Sequence, residues 1–229
     1  MALILKDGTV FLHLPKTGGN WVTKVLRECG LAKGGLGHKH ANMDRLLAPM
    51  NYRKSSLRAH FKIHRIKKAL TPKPFIFCFV RHPLAWYESW FNYMTQLKRN
   101  WRSWGDENDL FDWHPNADLN GCGASNFNQF MRNVIDKRPG YVTELFASYA
   151  KSPCDFVGKQ ESLREDLVKV LKRLSLKFDE DFIMNFQPFG VSPKLQEEIV
   201  WEPGLKEETL ALEHIALLRY GYPLESDET

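Results

Sequence analysis

The hydrophobic pattern of the chain contains short apolar runs that end in turn signals. Residues 10–14 form one such run, which stops at Pro15 and a glycine pair, Gly18 and Gly19. Residues 75–80 form an unbroken apolar run, which is typical of a central parallel strand covered on both faces. Both runs therefore predict buried strands that lead directly into turns.

A helical pattern follows each of these strands. Apolar residues recur at helical spacing from Trp21 to Cys29, and Gly30 stands where a C-terminal cap is expected. After the second strand, Pro83 suits the first turn of a helix that continues to about Met94. Each apolar run, together with the helical pattern that follows it, therefore predicts a strand, a turn and a helix in succession.

The second half of the chain predicts further units of the same kind. Residues 155–157 predict a short strand, and Ser162 and Glu165 then have the spacing of a capping box at the start of a helix. Another helix is expected over residues 206–220. Strands that alternate with helices predict an α/β fold in which a central parallel sheet is flanked by helices. Ligands of such sheets bind beyond the carboxyl ends of the strands.

Length and composition narrow the picture further. The 229 residues are 43% hydrophobic and contain no dividing linker, so we expect one domain spanning residues 1–229. No apolar stretch approaches the roughly 18 residues that a membrane-spanning helix needs. The first motif begins too early to leave room for an export signal, and the four cysteines are widely spaced. We therefore expect a soluble, cytoplasmic protein without a membrane span.

The net charge of +5 is a mild bias towards anionic ligands. It does not demand a nucleic-acid partner. The densest basic run lies within residues 53–68 and could be a solvated face of an amphipathic helix.

The turn after the first strand has the composition of a phosphate cradle. It reads Pro15-Lys16-Thr17-Gly18-Gly19-Asn20-Trp21 and lies where backbone N–H groups and the helix dipole favour an anion. Glycines let the backbone approach closely, a lysine reaches charged oxygens, and a threonine hydroxyl can donate a hydrogen bond. The turn is not a Walker A motif, because its lysine precedes both glycines.

The turn after the second strand offers a second anion site. Arg81 can clamp a phosphate with two hydrogen bonds, and Ser89, about two helical turns further on, can add a hydroxyl donor. Taken together and in this order, the two turns resemble the phosphate-binding segments of the sulfotransferases that use 3′-phosphoadenosine 5′-phosphosulfate (PAPS). The resemblance is to Golgi-type and bacterial carbohydrate sulfotransferases.

The resemblance implies a three-layer, P-loop-like fold and an enzyme that converts PAPS into 3′-phosphoadenosine 5′-phosphate (PAP) without a metal. It assigns the first turn to the 5′-phosphosulfate, so that Lys16, Thr17, Gly18, Gly19, Asn20 and Trp21 bind the donor. It assigns Arg81 and Ser89 to the 3′-phosphate. His82 departs from the asparagine that many relatives carry, which leaves the arginine role intact but alters the adjoining turn.

The resemblance extends weakly towards the C-terminus. Residues 155–163 look like the strand-to-helix segment of the carbohydrate enzymes. Residues 190–194 resemble a late loop that closes over the nucleotide, and this likeness assigns Ser192 and Lys194 to donor binding.

The expected chemistry is an in-line transfer of the sulfuryl group to a hydroxyl. Lys16 would stabilise the leaving phosphate, and His40 would take the proton from the acceptor, because relatives often carry a histidine or glutamate after the first helix. His38, His60 and His64 remain alternative bases. His38 and His40 lack further obvious metal ligands, and no zinc spacing occurs in the chain.

The sequence leaves the acceptor and two other functions open. A small-molecule or glycan acceptor is expected, with a carbohydrate hydroxyl preferred from the resemblance. A nucleotide or small-molecule kinase would share the strand-loop-helix cradle. A noncatalytic anion-binding or nucleic-acid-binding protein would use the basic run instead and would bind in a salt-dependent way.

Overall fold

The computed structural model describes residues 2–47, 73–96, 101, 103–105, 113–151, 154–190 and 198–224. These residues form an α/β protein with a five-stranded sheet and flanking helices. The chain divides into two compact units, one made of Met1–Phe79 and Ser148–Gly190, the other of Val80–Ala147 and Val191–Thr229. A single domain over residues 1–229 stays a prediction.

The sheet is mixed, which corrects the expected parallel sheet. Its strands are β1 (Ala2–Leu5), β2 (Val10–Phe11), β3 (Ala32–Leu36), β4 (Ile76–Val80) and β5 (Phe156–Lys159), in the spatial order β3-β1-β2-β4-β5. The central pair, β2 and β4, is parallel as expected. β1 runs antiparallel to both of its neighbours.

A tight hairpin turn explains why β1 and β2 are antiparallel. The Asp7 carboxylate accepts hydrogen bonds from the Thr9 backbone N–H at 3.0 Å and from the Thr9 hydroxyl at 2.7 Å. Gly8 has a φ of +95°, which L side chains rarely adopt. The turn therefore reverses the chain within a few residues, and only an antiparallel pairing can follow.

The described helices are α1 (Gly19–Glu28), α2 (Met43–Leu47), α3 (Pro83–Gln96), α4 (Phe127–Lys137), α5 (Tyr141–Ala150), α6 (Leu163–Arg173), α7 (Glu180–Asn185), α8 (Leu205–Leu212) and α9 (His214–Tyr220). A short 3₁₀ helix covers Pro115–Leu119. None of the helices in the part of the chain that the structure describes is both long and apolar enough to cross a bilayer.

The core of the first unit is formed by the sheet and by the apolar faces of α1 and α6. Its fully buried side chains include several from β1, β2 and β4 together with Val22, Val25 and Leu26 of α1 and Leu167, Val170 and Leu171 of α6. The helical spacing after Trp21 is thus confirmed. Gly30 ends α1 in a left-handed conformation with φ +66° and donates to the Arg27 carbonyl, which confirms the predicted cap.

Two predictions about helix ends need correction. Ser162 is the N-cap residue of α6 as predicted, but the capping hydrogen bond is absent, because its hydroxyl donates to the Asp166 carboxylate at 2.9 Å instead of accepting from a backbone N–H. The single helix expected over residues 206–220 is two helices, α8 and α9, that meet at Glu213. The Glu213 side chain is turned into the second unit, where it accepts from buried donors of α3 and α5.

Aromatic side chains of α3, α4 and the irregular segments form the core of the second unit. Trp86, Tyr87 and Trp90 of α3 are almost fully buried. Trp101 stacks on Phe130 with ring centroids 4.9 Å apart, and its indole N–H donates to the Ala124 carbonyl. In the first turn of α3, Pro83 stands where the sequence predicts it.

Candidate active site

The predicted phosphate loop connects β2 to α1 and has an unusual backbone. Leu12 donates to the Phe77 carbonyl at 2.9 Å, which continues the parallel pairing of β2 with β4 into the loop. Lys16 then has a φ of +65° and Gly18 a φ of +79°. A lysine in the left-handed region is costly, and such strain occurs most often at functional sites.

Close internal packing explains the two glycines of the loop. A Cβ on Gly18 would lie 2.6 Å from Leu163 Cδ2, and a Cβ on Gly19 would lie 2.4 Å from His13 Cδ2. Either distance is well inside van der Waals contact. The buried His13 ring therefore requires glycine at position 19, and at position 18 the positive φ disfavours a side chain in addition to the contact with the flexible Leu163 side chain.

The loop delivers several donors to the N-terminus of α1. The helix begins at Gly19, has no side-chain cap from Gly18 and carries no acidic residue in its first turn. The first N–H groups of an α-helix lack intrahelical acceptors, and the helix dipole makes this end positive. Lys16 is half-buried and Asn20 is exposed. This end of α1 can therefore hold an anion.

Thr17 makes a different hydrogen bond from the one expected. Its side chain is 1% exposed, and its hydroxyl donates to the Leu14 carbonyl at 3.0 Å. This bond closes the turn. The Thr17 hydroxyl keeps its acceptor capacity, but its proton is already engaged within the loop.

The segment that follows α7 packs against α1. The Trp21 indole N–H donates to the Gln187 carbonyl at 3.2 Å, and the Trp21 ring meets the Phe186 ring edge-on. Further along α1, Lys24 Nζ lies 4.1 Å from the centroid of the Phe189 ring. Trp21 is 96% buried by this packing and by its own helix, since only 4% of its surface is exposed.

Gly190 brings the end of this segment to the first turn of α1. It has a φ of +70°, and a Cβ added to it would lie 2.9 Å from Asn20 Cβ. The late loop that the resemblance assigns to the nucleotide thus begins beside the phosphate loop. Ser192 and Lys194 themselves lie outside the described residues.

His40 is hydrogen-bonded to the loop that connects β2 to α1. Its Nδ1 lies 3.0 Å from the His13 carbonyl oxygen, and the two imidazole rings meet edge-on with centroids 5.0 Å apart. A carbonyl oxygen can only accept, so Nδ1 carries the proton. In the neutral ring Nε2 is then the basic nitrogen. The base candidate is thus hydrogen-bonded to His13, which lies three residues before Lys16 in the sequence.

The backbone of His40 is fixed as well. Its N–H donates to Nδ1 of His38 at 3.2 Å, and its carbonyl oxygen accepts from the Tyr149 hydroxyl. His38 therefore lies beside His40 as a positioning neighbour. His60 and His64, the other two alternatives, lie outside the described residues.

His13 is a buried histidine that sequence reasoning passed over. It is 4% exposed, and its Nδ1 has no hydrogen-bond partner among the described residues. Burial, with a smaller contribution from the positive charges of Lys39 and the N-terminus, holds the His13 pKa well below its ordinary value. The ring is therefore neutral at pH 7. The sequence signal that could have identified His13 is its position as a polar residue inside the apolar run of residues 10–14.

The second predicted phosphate segment belongs to the other unit. Arg81 follows β4 directly and is half-buried, and the His82 carbonyl accepts from the Trp86 N–H at 2.9 Å at the start of α3. Ser89 lies on α3 and is also half-buried. The first unit thus brings together the phosphate loop, His40 and Gly190, whereas Arg81 and Ser89 are placed in the second.

Within the described ranges no group of three or more histidine, cysteine, aspartate or glutamate side chains is arranged to hold a metal ion. Independence from metals stays a prediction. No family model, no curated protein and no solved structure matches this chain. The family therefore remains a resemblance that rests on the two motifs.

Proposed function

We propose that this chain is a PAPS-dependent sulfotransferase that transfers the sulfuryl group to a hydroxyl acceptor, with a carbohydrate preferred. One observation carries the proposal furthest: the His40 imidazole is hydrogen-bonded at Nδ1 to the His13 carbonyl, within the loop that leads to the N-terminus of α1. This arrangement combines an anion site with a base whose tautomer is fixed. Both are needed for transfer of an anionic group to a hydroxyl.

The hydrogen-bond donors at the start of α1 suit the 5′-phosphosulfate end of PAPS. Backbone N–H groups at the start of α1 and the Lys16 ammonium group would bind the phosphosulfate, and no carboxylate in the first turn opposes them. Asn20 and Gly190 would border the same group. Arg81 and Ser89 are assigned to the 3′-phosphate by the motif alone.

The bound donor supplies an activated sulfuryl group. Lys16 would counter the negative charge that develops on the departing phosphate oxygen. His40 Nε2 would accept the acceptor's hydroxyl proton, while Nδ1–H stays on the His13 carbonyl and shares the resulting positive charge with it. Tyr149 and His38 would keep the imidazole in place during this proton transfer.

Calorimetric titration with PAP is the experiment that tests the proposal. Adenosine 5′-monophosphate, which lacks the 3′-phosphate, is the ligand control. Arg81→Ala and Ser89→Ala are the test variants, and Arg27→Ala, an exposed arginine at the end of α1, is the control for lost charge. We expect wild type and Arg27→Ala to bind PAP more tightly than adenosine 5′-monophosphate.

Loss of that preference in Arg81→Ala would support the donor assignment. Incubation with PAPS and a panel of sugars, phenols and lipids would then identify the acceptor class. A folded wild type that binds no PAP overturns the proposal. Magnesium-dependent ATP turnover or salt-sensitive oligonucleotide binding in its place would indicate a kinase or a nucleic-acid-binding protein.

A further inference from the structure

Two cysteines that are far apart in sequence meet in the first unit. Cys78 lies in β4, Cys154 lies just before β5, and their sulfur atoms are 3.8 Å apart. We propose that Cys78 and Cys154 are an oxidisable dithiol, which a hydroperoxide converts into a disulfide between β4 and the start of β5. This inference is independent of the proposed function.

The backbone around the two thiols is held in register. Asp155 donates its N–H to the Ile76 carbonyl at 2.7 Å, and its carboxylate accepts from the Ile76 N–H at 2.8 Å. A disulfide requires a sulfur separation of about 2 Å. With the main chain fixed on both sides, side-chain rotation is the movement that has to close the remaining gap.

The two thiols differ in access and in acidity. Cys78 is fully buried, whereas Cys154 is only half-buried. The hydrogen bond between the thiols lowers the pKa of Cys154 and, together with burial, raises the pKa of Cys78 well above its ordinary value. Cys154 is therefore the more acidic of the two thiols and the sulfur that a small oxidant reaches first.

The reaction has two balanced steps. The Cys154 thiolate attacks one oxygen of the hydroperoxide; the O–O bond breaks, Cys154 becomes a sulfenic acid, and the other oxygen leaves, once protonated, as an alcohol or water. The Cys78 sulfur then attacks the Cys154 sulfur. The S–S bond forms as the S–O bond breaks, and the hydroxyl group leaves as water with the Cys78 proton. The two thiols together lose two electrons, which reduce the peroxide.

The chain contains its own controls. Cys29 and Cys122 are the remaining cysteines, and both are free thiols whose pKa is raised by burial. Cys122 donates weakly to the Asn133 carbonyl, with a sulfur-to-oxygen distance of 3.7 Å. Both should therefore react with peroxide more slowly than Cys154.

The test is peroxide treatment of the folded, reduced full chain, followed by alkylation of the remaining thiols and peptide mass spectrometry. The variants are Cys154→Ser, Cys78→Ser and, as the matched control, Cys29→Ser. We expect wild type and Cys29→Ser to lose two thiols and yield one cross-linked peptide pair containing Cys78 and Cys154. Cys154→Ser should keep its Cys78 thiol reduced.

Cys78→Ser should accumulate a sulfenic acid at position 154 that a dimedone-type reagent captures. If that core variant fails to fold, Cys154→Ala at the half-buried position supplies the same test of pairing through the persistence of a reduced Cys78. The proposal is overturned if folded wild type keeps both thiols alkylatable while Cys29 or Cys122 oxidises. It is equally overturned if Cys154 pairs with a cysteine other than Cys78.

Discussion

Lys16 and His40 have different chemical tasks in the proposed site, so their substitutions should be separable. His40→Asn removes the base and is expected to lower kcat for sulfuryl transfer by roughly 10²-fold or more. PAP binding should remain, because His40 is assigned to the proton of the acceptor and its Nδ1 is hydrogen-bonded to the His13 carbonyl. Calorimetry and steady-state kinetics on the same preparation measure both quantities.

Lys16→Met is the complementary change, expected to reduce both PAP affinity and kcat. Lys33→Met, an exposed lysine of β3, controls for the lost charge. A His40→Asn variant with full activity would exclude His40 as the base. That result would not affect the hypothesis that the start of α1 binds PAPS.

Tyr149 supports His40 through a single hydrogen bond to its carbonyl oxygen. The tyrosine is 1% exposed, so Tyr149→Phe keeps the ring packing and removes only the hydroxyl. We expect the free energy of unfolding to fall by roughly 1 kcal/mol, since a donor to a part-buried carbonyl is lost. Urea unfolding measures this change, and the NMR signals of the His40 ring should shift. Unchanged values in both measurements would contradict the contact.

The buried His13 ring predicts a pH dependence of stability. Its pKa is lowered in the folded state, so below the ordinary value of 6.5 the unfolded chain binds a proton that the folded chain excludes. The contribution of His13 to stability is complete above that pH and is lost as the pH falls towards the folded-state pKa. The limiting slope is about 1.4 kcal/mol per pH unit.

Urea unfolding at pH values between 7 and 5 should therefore show a steeper loss of stability in wild type than in His13→Phe. The phenylalanine keeps a ring against Gly19 and cannot titrate. If the unfolding free energy depends equally on pH in wild type and His13→Phe, His13 takes up its proton in the folded protein as readily as in the unfolded one.

At the scale of elements, the sequence predicted what local periodicity determines. The strand-loop-helix order around residues 10–30 follows from apolar spacing, and the helix that starts after Ser162 follows from a local capping-box spacing; the structure has both. β1 and β3 were not predicted. β3 reads Ala-Lys-Gly-Gly-Leu, which has little strand propensity. Its pairing with β1 therefore supplies the stability that its own residues do not.

The hairpin that makes the sheet mixed can be tested at Gly8. Gly8→Ala should destabilise the fold by about 1 kcal/mol, because its φ of +95° strains any residue with a Cβ. Space is not the cause, since nothing lies within 4 Å of an added Cβ. Gly34→Ala in β3 is the matched control, with equally open space and no positive φ. Chemical denaturation should leave Gly34→Ala within about 0.5 kcal/mol of wild type.

At the scale of the molecule, the sequence predicted candidate site residues but not the tertiary contacts around them. The loop at Lys16 and the base candidate His40 meet in one unit through a main-chain contact that no sequence pattern encodes. The pairing of Cys78 with Cys154 was missed for the same reason. Strand order depends on tertiary pairing, and sequence spacing gives no measure of which strands become neighbours.

Glu213 connects distant parts of the second unit and gives the last prediction. Its carboxylate is 1% exposed and accepts from the Tyr87 hydroxyl at 2.6 Å and from the backbone N–H groups of Val142 and Thr143 at 3.0 and 2.7 Å. Burial, followed by the negative charge of Glu213 and the hydrogen bond to it, raises the pKa of Tyr87 well above its ordinary value. One buried charge thus links α3, α5 and the junction of α8 with α9.

Glu213→Gln keeps the shape but replaces an acceptor oxygen with a donor NH₂ group, which then opposes a donor of the protein. We expect the free energy of unfolding to fall by roughly 2 to 3 kcal/mol, the cost of leaving buried partners unsatisfied. Hydrogen exchange should locate the loss of protection at the start of α5 and in α3. Glu208→Gln, an exposed glutamate of α8, should be neutral within about 0.5 kcal/mol. Equal exchange in the two variants would mean that the Glu213 charge does not organise this unit, and that apolar packing around α3 alone holds its helices together.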